Sequence, residues 1–241
     1  MELLSETLAW LTDPQHWQGS DGIPTRTLQH VYLCVVSLAA GLAIALPLGL
    51  AIGHTRRFET IVVAIANLGR AVPSLALLLI FLPFVGIGDP LIIVALTLLS
   101  IPPVLVNTAV GIREVDAELV EAGRGMGMSE MGLIRRVELP VALPVVIAGM
   151  RIAAVQVVAT ATLGAVVAGG GLGRYLVDGF ALQDHPRLVV GALLVALLAI
   201  VTERTFSLLE GRFVSPGVSG RHLGRHLTAA ELAPPAAQPT I

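Results

Sequence analysis

Apolar residues dominate the chain in long runs, broken by short polar stretches at nearly regular intervals. A bilayer-spanning helix needs about 20 mostly apolar residues. Five segments meet that requirement: about Leu28 to Gly53, Ile61 to Val85, Pro90 to Ile112, Leu139 to Ala168, and Leu188 to Leu209. The pattern predicts an all-α integral membrane protein of about five transmembrane helices. The second segment is interrupted by Arg70 and Pro73 and also reads as two shorter pieces, a six-helix alternative that would put both termini on one side. Ahead of the first span, Leu3, Leu4, Leu8 and Leu11 recur at helical spacing up to Asp13-Pro14. Residues 1–27 thus read as an external segment with a short helix lying in the membrane interface, Trp10 and Trp17 serving as anchors; a frayed polar tail is the alternative. Residues 28–213 are expected to form the membrane-spanning domain. From Val214 onward the chain is rich in Pro, Gly and Ala without periodicity, which predicts a disordered cytoplasmic tail over 214–241.

Charge sets the orientation. Arg56, Arg57, Arg113, Arg124, Arg135, Arg136, Arg204, Arg212, Arg221 and Arg225 fall on one side, against Arg26, Arg174 and Arg187 on the other. Cytoplasmic loops carry the excess of basic residues, so the N-terminus is expected outside and the C-terminus in the cytoplasm. The connection from Asp116 to Glu138 is then cytoplasmic too. Composition agrees with this class: 55% of the 241 residues are hydrophobic and only 13% charged, about half the charge of an average soluble domain. A net charge of -2 gives no reason to expect a nucleic-acid partner. All fifteen basic residues are Arg, so the chain lacks the lysine that grips nucleotide phosphates in a P-loop. Hydrolysis of ATP, if it drives this protein, belongs to another subunit. The lone Cys34 lies in an apolar run and forms no internal disulfide. The six histidines are scattered through loops and ends, against an enzyme built on clustered metal ligands.

The cytoplasmic connection DAELVEAGRGMGMSEMGLIRRVELP carries the most information. Asp116 is placed to cap a helix running through Glu121, glycines at 123, 125 and 127 loosen the chain, and Ser129 caps a second short helix that lasts until Pro140 opens the next span. A helix-turn-helix bracket along the inner membrane face is expected. Its spacing resembles the EAA loop of ABC importer permeases: EAA, three residues, Gly, nine residues, an apolar residue, one residue, Leu-Pro. Glu121, Ala122, Gly127, Val137, Leu139 and Pro140 fall at those positions, with Gly123 in place of the second Ala. A finer resemblance covers about Leu28 to Leu209. The runs AVPSLALL, RGMGMSEMGLIRRVELPVALPVVIAGMR and TATLGAVVAGGGLGRYL are similar to permeases of osmoprotectant importers for glycine betaine, choline, carnitine or proline betaine.

The resemblance implies the ABC importer type I permease fold, with the loop over 116–140 as a coupling helix seated in a groove of an ATP-binding subunit. Its interface would include Glu121, Ala122, Gly123, Gly127, Met128, Arg135, Val137, Leu139 and Pro140. The implied partners are two ATP-binding subunits, a second permease that is either identical or a sister chain, a separate extracytoplasmic substrate-binding protein, and the lipid bilayer of the bacterial plasma membrane. No cofactor is implied on this chain; ATP and Mg belong to the partner ATPase subunit. For individual arginines of the loop, simple obedience to the positive-inside rule is the competing reading.

Polar residues inside the spans are costly and usually face protein or water. Arg70 is about 13 Å into the second span at 1.5 Å per residue, and Asn67, Arg70 and Ser74 share one helix face. In the fourth span, which also carries Arg151, Gln156, Thr160 and Gly164 recur at steps of four. Each face reads either as part of a translocation pathway or gate, or as interhelical hydrogen bonding. Aromatic residues are only 4% of the chain, too few for a full cage around a quaternary ammonium group, which places high-affinity recognition on the binding protein. Phe81 and Phe84 can touch a passing cation or sit in an interfacial belt. The GGGLGR segment at Gly169 follows a membrane span and not a strand, so it reads as a flexible external turn that receives the binding protein. A secondary transporter or channel would explain the spans equally well, but not the EAA spacing.

Overall fold

The computed structural model describes residues 2–58, 60–62, 64–65 and 72–213. Asn67, Arg70 and the expected tail over 214–241 lie outside the described residues. Among those described, every regular element is helical. Helix α1 is Glu2–Thr12, α2 is Ile23–Thr55, α3 is Ser74–Val85, α4 is Asp89–Arg113, α5 is Ala117–Gly125 and α6 is Glu130–Leu133. A π-type turn, Ile134–Glu138, leads into α7, Leu139–Thr160, which tightens into a 3-10 stretch, Ala161–Val167. Helices α8, Gly173–Ala181, and α9, His185–Phe213, complete the described chain.

Four of these helical runs are long and apolar enough to cross a membrane: Ile23–Thr55, Asp89–Arg113, Glu130–Val167 and His185–Phe213. Of the expected second span the structure describes helical residues 60–62 and 64–65, and α3, which starts after the extended backbone of Pro73 (φ -60, ψ 127). With 12 residues, α3 is about 18 Å long at 1.5 Å per residue, short of the roughly 30 Å hydrocarbon layer. Proline at 73 explains why α3 starts there, since its ring removes an N–H and clashes with the carbonyl a helix would place four residues before it.

Helix α4 is the central element, with α2 and α7 packed against it. Leu91, Ile92, Ala95, Val104 and Leu105 are fully or almost fully enclosed. The α2–α4 contact is built on small residues: Gly41, Ala45, Gly49 and Gly53 recur every fourth position of α2 and all are buried. A Cβ at Gly49 would lie 2.7 Å from Thr108 Cβ, and one at Gly53 would lie 2.7 Å from both the Ala109 carbonyl and Ile112 Cβ. In lipid the hydrophobic effect does not drive helices together, so such close backbone approach supplies the packing energy instead. Helix α9 packs on this core along one side only. Among its residues only Val190 and Gly191 are buried, while Leu193, Leu197, Ile200, Val201 and Leu208 face outward.

At the opposite end of the chain order, α1 exposes Leu3, Leu4 and Leu8 along one side, as an interfacial helix would. Trp10 departs from its expected role. Its ring stacks on His16 at 3.7 Å and meets the edge of Tyr175 at 5.6 Å, so it pins α1 to α8, while Trp17 stays exposed. The GGGLGR segment departs as well: Gly169, Gly171 and Gly173 are buried. The Gly171 N–H, at φ +84, donates to Gln29 Oε1 at 3.1 Å, and Tyr175 Oη donates to the Asp21 carbonyl at 2.6 Å. A side chain at Gly173 would collide with the backbone of Thr162. These glycines are there for close packing, not for a loose turn.

Candidate functional site

The bracket between α4 and α7 forms as its capping residues dictate. The Asp116 carboxylate accepts from the Glu118 N–H at 2.9 Å, and Ser129 Oγ accepts from the Gly132 N–H at 3.2 Å. Between these two caps, α5 ends in a paired motif. The Gly127 N–H donates to the Arg124 carbonyl (2.9 Å) and the Met128 N–H to the Gly123 carbonyl (3.1 Å). That pairing requires a left-handed residue just past the helix end, and Gly127 supplies it at φ +79. The second arm does not stop before the next span as the sequence pattern suggests; it runs on into α7. Pro140 offers no N–H to the Arg136 carbonyl, and the backbone widens into a π-type turn in which the Leu139 N–H reaches the Ile134 carbonyl.

The expected interface residues divide into two groups. Gly123 is buried, where a Cβ would lie 2.5 Å from Leu133 Cδ2. Met128, Val137 and Leu139 pack with Ile112, Val120 and Leu133, so this group holds the two arms together. Glu121, Ala122, Gly127, Arg135 and Pro140 are exposed. Three exposed apolar residues join them that the spacing argument passes over: Leu119, Met126 (73% exposed) and Met131. Methionine adapts its shape to a partner more readily than branched residues do, and Met126 and Met131 on either side of the turn are the sequence signal for this patch. A shallow depression of about 570 Å³ lies among Met126, Ser129, Met131, Arg135 and Arg136. Arg124 forms a two-pronged pair with Glu130, at 3.1 and 2.9 Å, which raises the guanidinium pKa further above its ordinary value.

A second site lies between the spans. Ser74 from α3, Asn107 from α4, and Gln156 and Thr160 from α7 line one cleft of about 370 Å³. Thus Ser74 comes together with Gln156 and Thr160, while its expected companions Asn67 and Arg70 lie outside the described residues. Gly164 does not join this face. Beyond Thr160 the helix tightens to 3-10 geometry, with three residues per turn instead of 3.6, and Gly164 turns to pack on Ile92, whose Cδ1 would lie 2.8 Å from a Cβ there. Asn107 is the cleft residue that spacing misses; its Nδ2 donates to the Pro103 carbonyl at 2.7 Å. Pro102 and Pro103 also line the cleft. Neither has an N–H, so the helical carbonyls of Leu98 and Leu99 lack their usual donors. Arg151, in the same span as Gln156, is directed away, to Glu203 (3.6 Å) and Glu210 (3.4 Å) of α9.

Comparison with known proteins places this geometry. The family described as "Binding-protein-dependent transport system inner membrane component" matches residues 43–215. A glycine betaine/carnitine/choline transport system permease protein of Bacillus subtilis (strain 168) is 35% identical over 195 residues, 81% of this chain and 90% of that one. A carnitine transport permease protein of Listeria monocytogenes is 36% identical over 201 residues, 83% of this chain and 92% of that one. Among solved structures, an inward-facing conformation of the MetNI methionine ABC transporter superposes with a TM-score of 0.74 at 24% identity, over 85% of this chain and 100% of the other. That likeness concerns the fold. The chain belongs to the family of inner membrane components of binding-protein-dependent transport systems, with the permease fold seen in an ABC importer.

Proposed function

We propose that the chain carries a compatible solute of the quaternary-ammonium class, such as glycine betaine, carnitine, choline or proline betaine, into the cell. In this reading a separate extracytoplasmic protein delivers the solute. Two ATP-binding subunits drive transport, and a second permease, identical or a sister chain, completes the pathway. Residues 1–27 lie outside, residues 28–213 span the bilayer, and 214–241 form a cytoplasmic tail; the ten-to-three distribution of arginine supports that orientation.

The observation that carries the reading is the bracket over 116–140. It has EAA spacing, an internally locked hinge at Gly127, and an exposed small and methionine-rich surface beside Arg135. Such a surface suits a groove that must grip and pivot, with Glu121 and Arg135 at a polar rim. ATP and Mg are assigned to the partner. The cargo assignment rests on what the Bacillus and Listeria relatives are named for. The cleft is compatible with it: its described polar lining is hydroxyl and amide, without a charged group. Such a lining can hydrogen-bond the carboxylate or hydroxyl of a compatible solute.

The test is purification with the neighbouring gene products in detergent, followed by uptake of labelled glycine betaine and choline into proteoliposomes with and without ATP. Copurification of an ATPase and ATP-dependent uptake are expected. Uptake by the chain alone on an ion gradient would replace the importer reading with a secondary transporter.

A further inference from the structure

His30 of α2 is completely enclosed, with 0% of its surface exposed. Its Nε2 stands 3.0 Å from the Val158 carbonyl of α7, 128 positions away along the chain. A carbonyl only accepts, so Nε2 carries a proton and donates it to this bond. Nδ1 has no partner among the described residues, which leaves the Val158 bond as the one the ring is placed for. The contact falls at a particular point of α7. The α-type ladder closes with the Ala161 N–H on the Val157 carbonyl, and from Ala161 the chain tightens to 3-10 geometry. Val158 therefore offers the first carbonyl past the ladder, one that a continued α-helix would pair with the Thr162 N–H. His30 takes the place of that donor. Glycine makes room on the other edge of the ring, since a Cβ at Gly171 would lie 3.1 Å from Nδ1. Gln29 accepts from the Gly171 N–H and from Arg26 Nη1, and Leu33 and Cys34 share one apolar cluster with Val157, Val158 and Ala161. Two successive turns of α2 thus grip the junction.

We propose that His30 is a positioning residue for the cleft between α3, α4 and α7. Val158 lies midway between Gln156 and Thr160, the two polar residues of α7 that line the cleft. Two residues are about 200° of rotation at 3.6 residues per turn, so Val158 sits on the far side of the helix. His30 holds α7 from behind while Gln156 and Thr160 face the solute, and it acts on the cleft only through the helix between them. One bond at this level fixes both the rotation and the height of α7. Without it, a carbonyl is left unpaired in an apolar enclosure, which is costly. The junction is then free to shift between 3-10 and α geometry, and Thr160 loses its fixed place. This inference rests on the reading of the cleft as part of the solute pathway.

Two amides of unequal length separate positioning from simple stability. His30→Gln can place its side-chain N–H where the imidazole Nε2 stands and donate to Val158, whereas His30→Asn is equally polar but stops one carbon short. In the complete importer, His30→Asn is expected to raise the solute concentration for half-maximal uptake about three- to tenfold, the worth of one hydrogen bond, with the maximal rate within about twofold of the parent. His30→Gln should restore the parent value. The further loss caused by Gln156→Ala should be smaller in His30→Asn than in the parent, because residues that act through one element are not additive. In the permease alone, hydrogen exchange over residues 160–167 should be faster in His30→Asn than in His30→Gln. Should His30→Asn fail to insert, Gly171→Ala carries the same test, since its methyl presses on the ring without touching the cleft. A lower maximal rate at an unchanged half-saturating concentration, or equal values in the Gln and Asn variants, would overturn the proposal. If Gln156→Ala raises that concentration and His30→Asn does not, only the positioning role fails; if neither raises it, the cleft reading fails as well. Uptake by the chain alone on an ion gradient would overturn the importer reading, and the Gln and Asn comparison under that gradient then decides the role of His30.

Discussion

Gly127 offers a quantitative test of how the bracket is built. Its φ of +79 is left-handed, and no heavy atom lies within 4 Å of where a Cβ would be. Substitution there therefore meets no steric obstacle and is penalised by backbone conformation alone. Placing an ordinary L-residue in the left-handed region costs about 1–2 kcal/mol, and a β-branched one sits at the upper end. Each 1.4 kcal/mol is a factor of about ten in an equilibrium, so Gly127→Val should raise the open population of the turn about five- to thirtyfold. The direct readout is hydrogen exchange of the Met128 amide, whose bond to the Gly123 carbonyl at 3.1 Å closes the motif. Asparagine tolerates the left-handed region, so Gly127→Asn should lose less protection, and the order Gly, Asn, Ala, Val should hold. Membrane insertion should be unaffected in all of them. If Val and Asn variants protect Met128 as well as the parent does, the turn does not depend on this backbone angle and the argument fails.

Other substitutions probe the packing and the sites separately. Gly49→Leu should destabilise the α2–α4 contact by about 1–3 kcal/mol or more through overpacking, since even a Cβ there lies 2.7 Å from Thr108 Cβ and 3.0 Å from the Leu105 carbonyl; thermal denaturation in detergent measures it, with Leu193→Ala on outward-facing α9 as a control expected to change little. Removing the N-cap with Ser129→Ala should cost about 1 kcal/mol of local stability in α6, seen as faster exchange at Gly132 and Leu133 with unchanged exchange in α4. Gln156→Ala and Asn107→Ala should each raise the solute concentration for half-maximal uptake about three- to tenfold, the worth of one hydrogen bond, while copurification of the ATPase stays intact; unchanged uptake in both would remove the cleft from the pathway. Gly127→Asp should uncouple ATP hydrolysis from transport while leaving insertion intact, because it places a charge beside exposed Met126; wild-type transport by that variant would move the coupling site elsewhere.

Much of this arrangement is legible in the residues themselves. Span positions follow from the bilayer's demand for long apolar runs, and the helices over Ile23–Thr55, Asp89–Arg113 and His185–Phe213 lie where those runs are. The two caps of the bracket, Asp116 and Ser129, form the hydrogen bonds that their side chains predict, because capping is a local interaction within three residues. Local rules fail where the backbone changes its period. Gly164 leaves the Gln156 and Thr160 face because the helix tightens after Thr160, and the second arm of the bracket merges with α7 through a π-type turn at Pro140. They fail again where a residue's partner is distant in sequence: Trp10 on Tyr175, Arg151 on Glu203, and the Gly169 to Gly173 turn packed against Gln29 and Thr162.

By itself, then, the sequence determined the solvent of the fold, the number and place of its apolar runs, the absence of a P-loop lysine, and the EAA-like spacing of the 116–140 loop, since each depends on composition or on neighbours along the chain. Tertiary structure decided which faces meet. Gly123 reads as a groove residue in the motif but is buried against Leu133, and Ser74, Asn107 and Gln156 reach one cleft only because α3, α4 and α7 converge there. His54 and Glu138 are 84 positions apart, and no local pattern foretells their contact. It exists because α2, docked on α4 through its row of small residues, delivers its last turn to the mouth of the bracket.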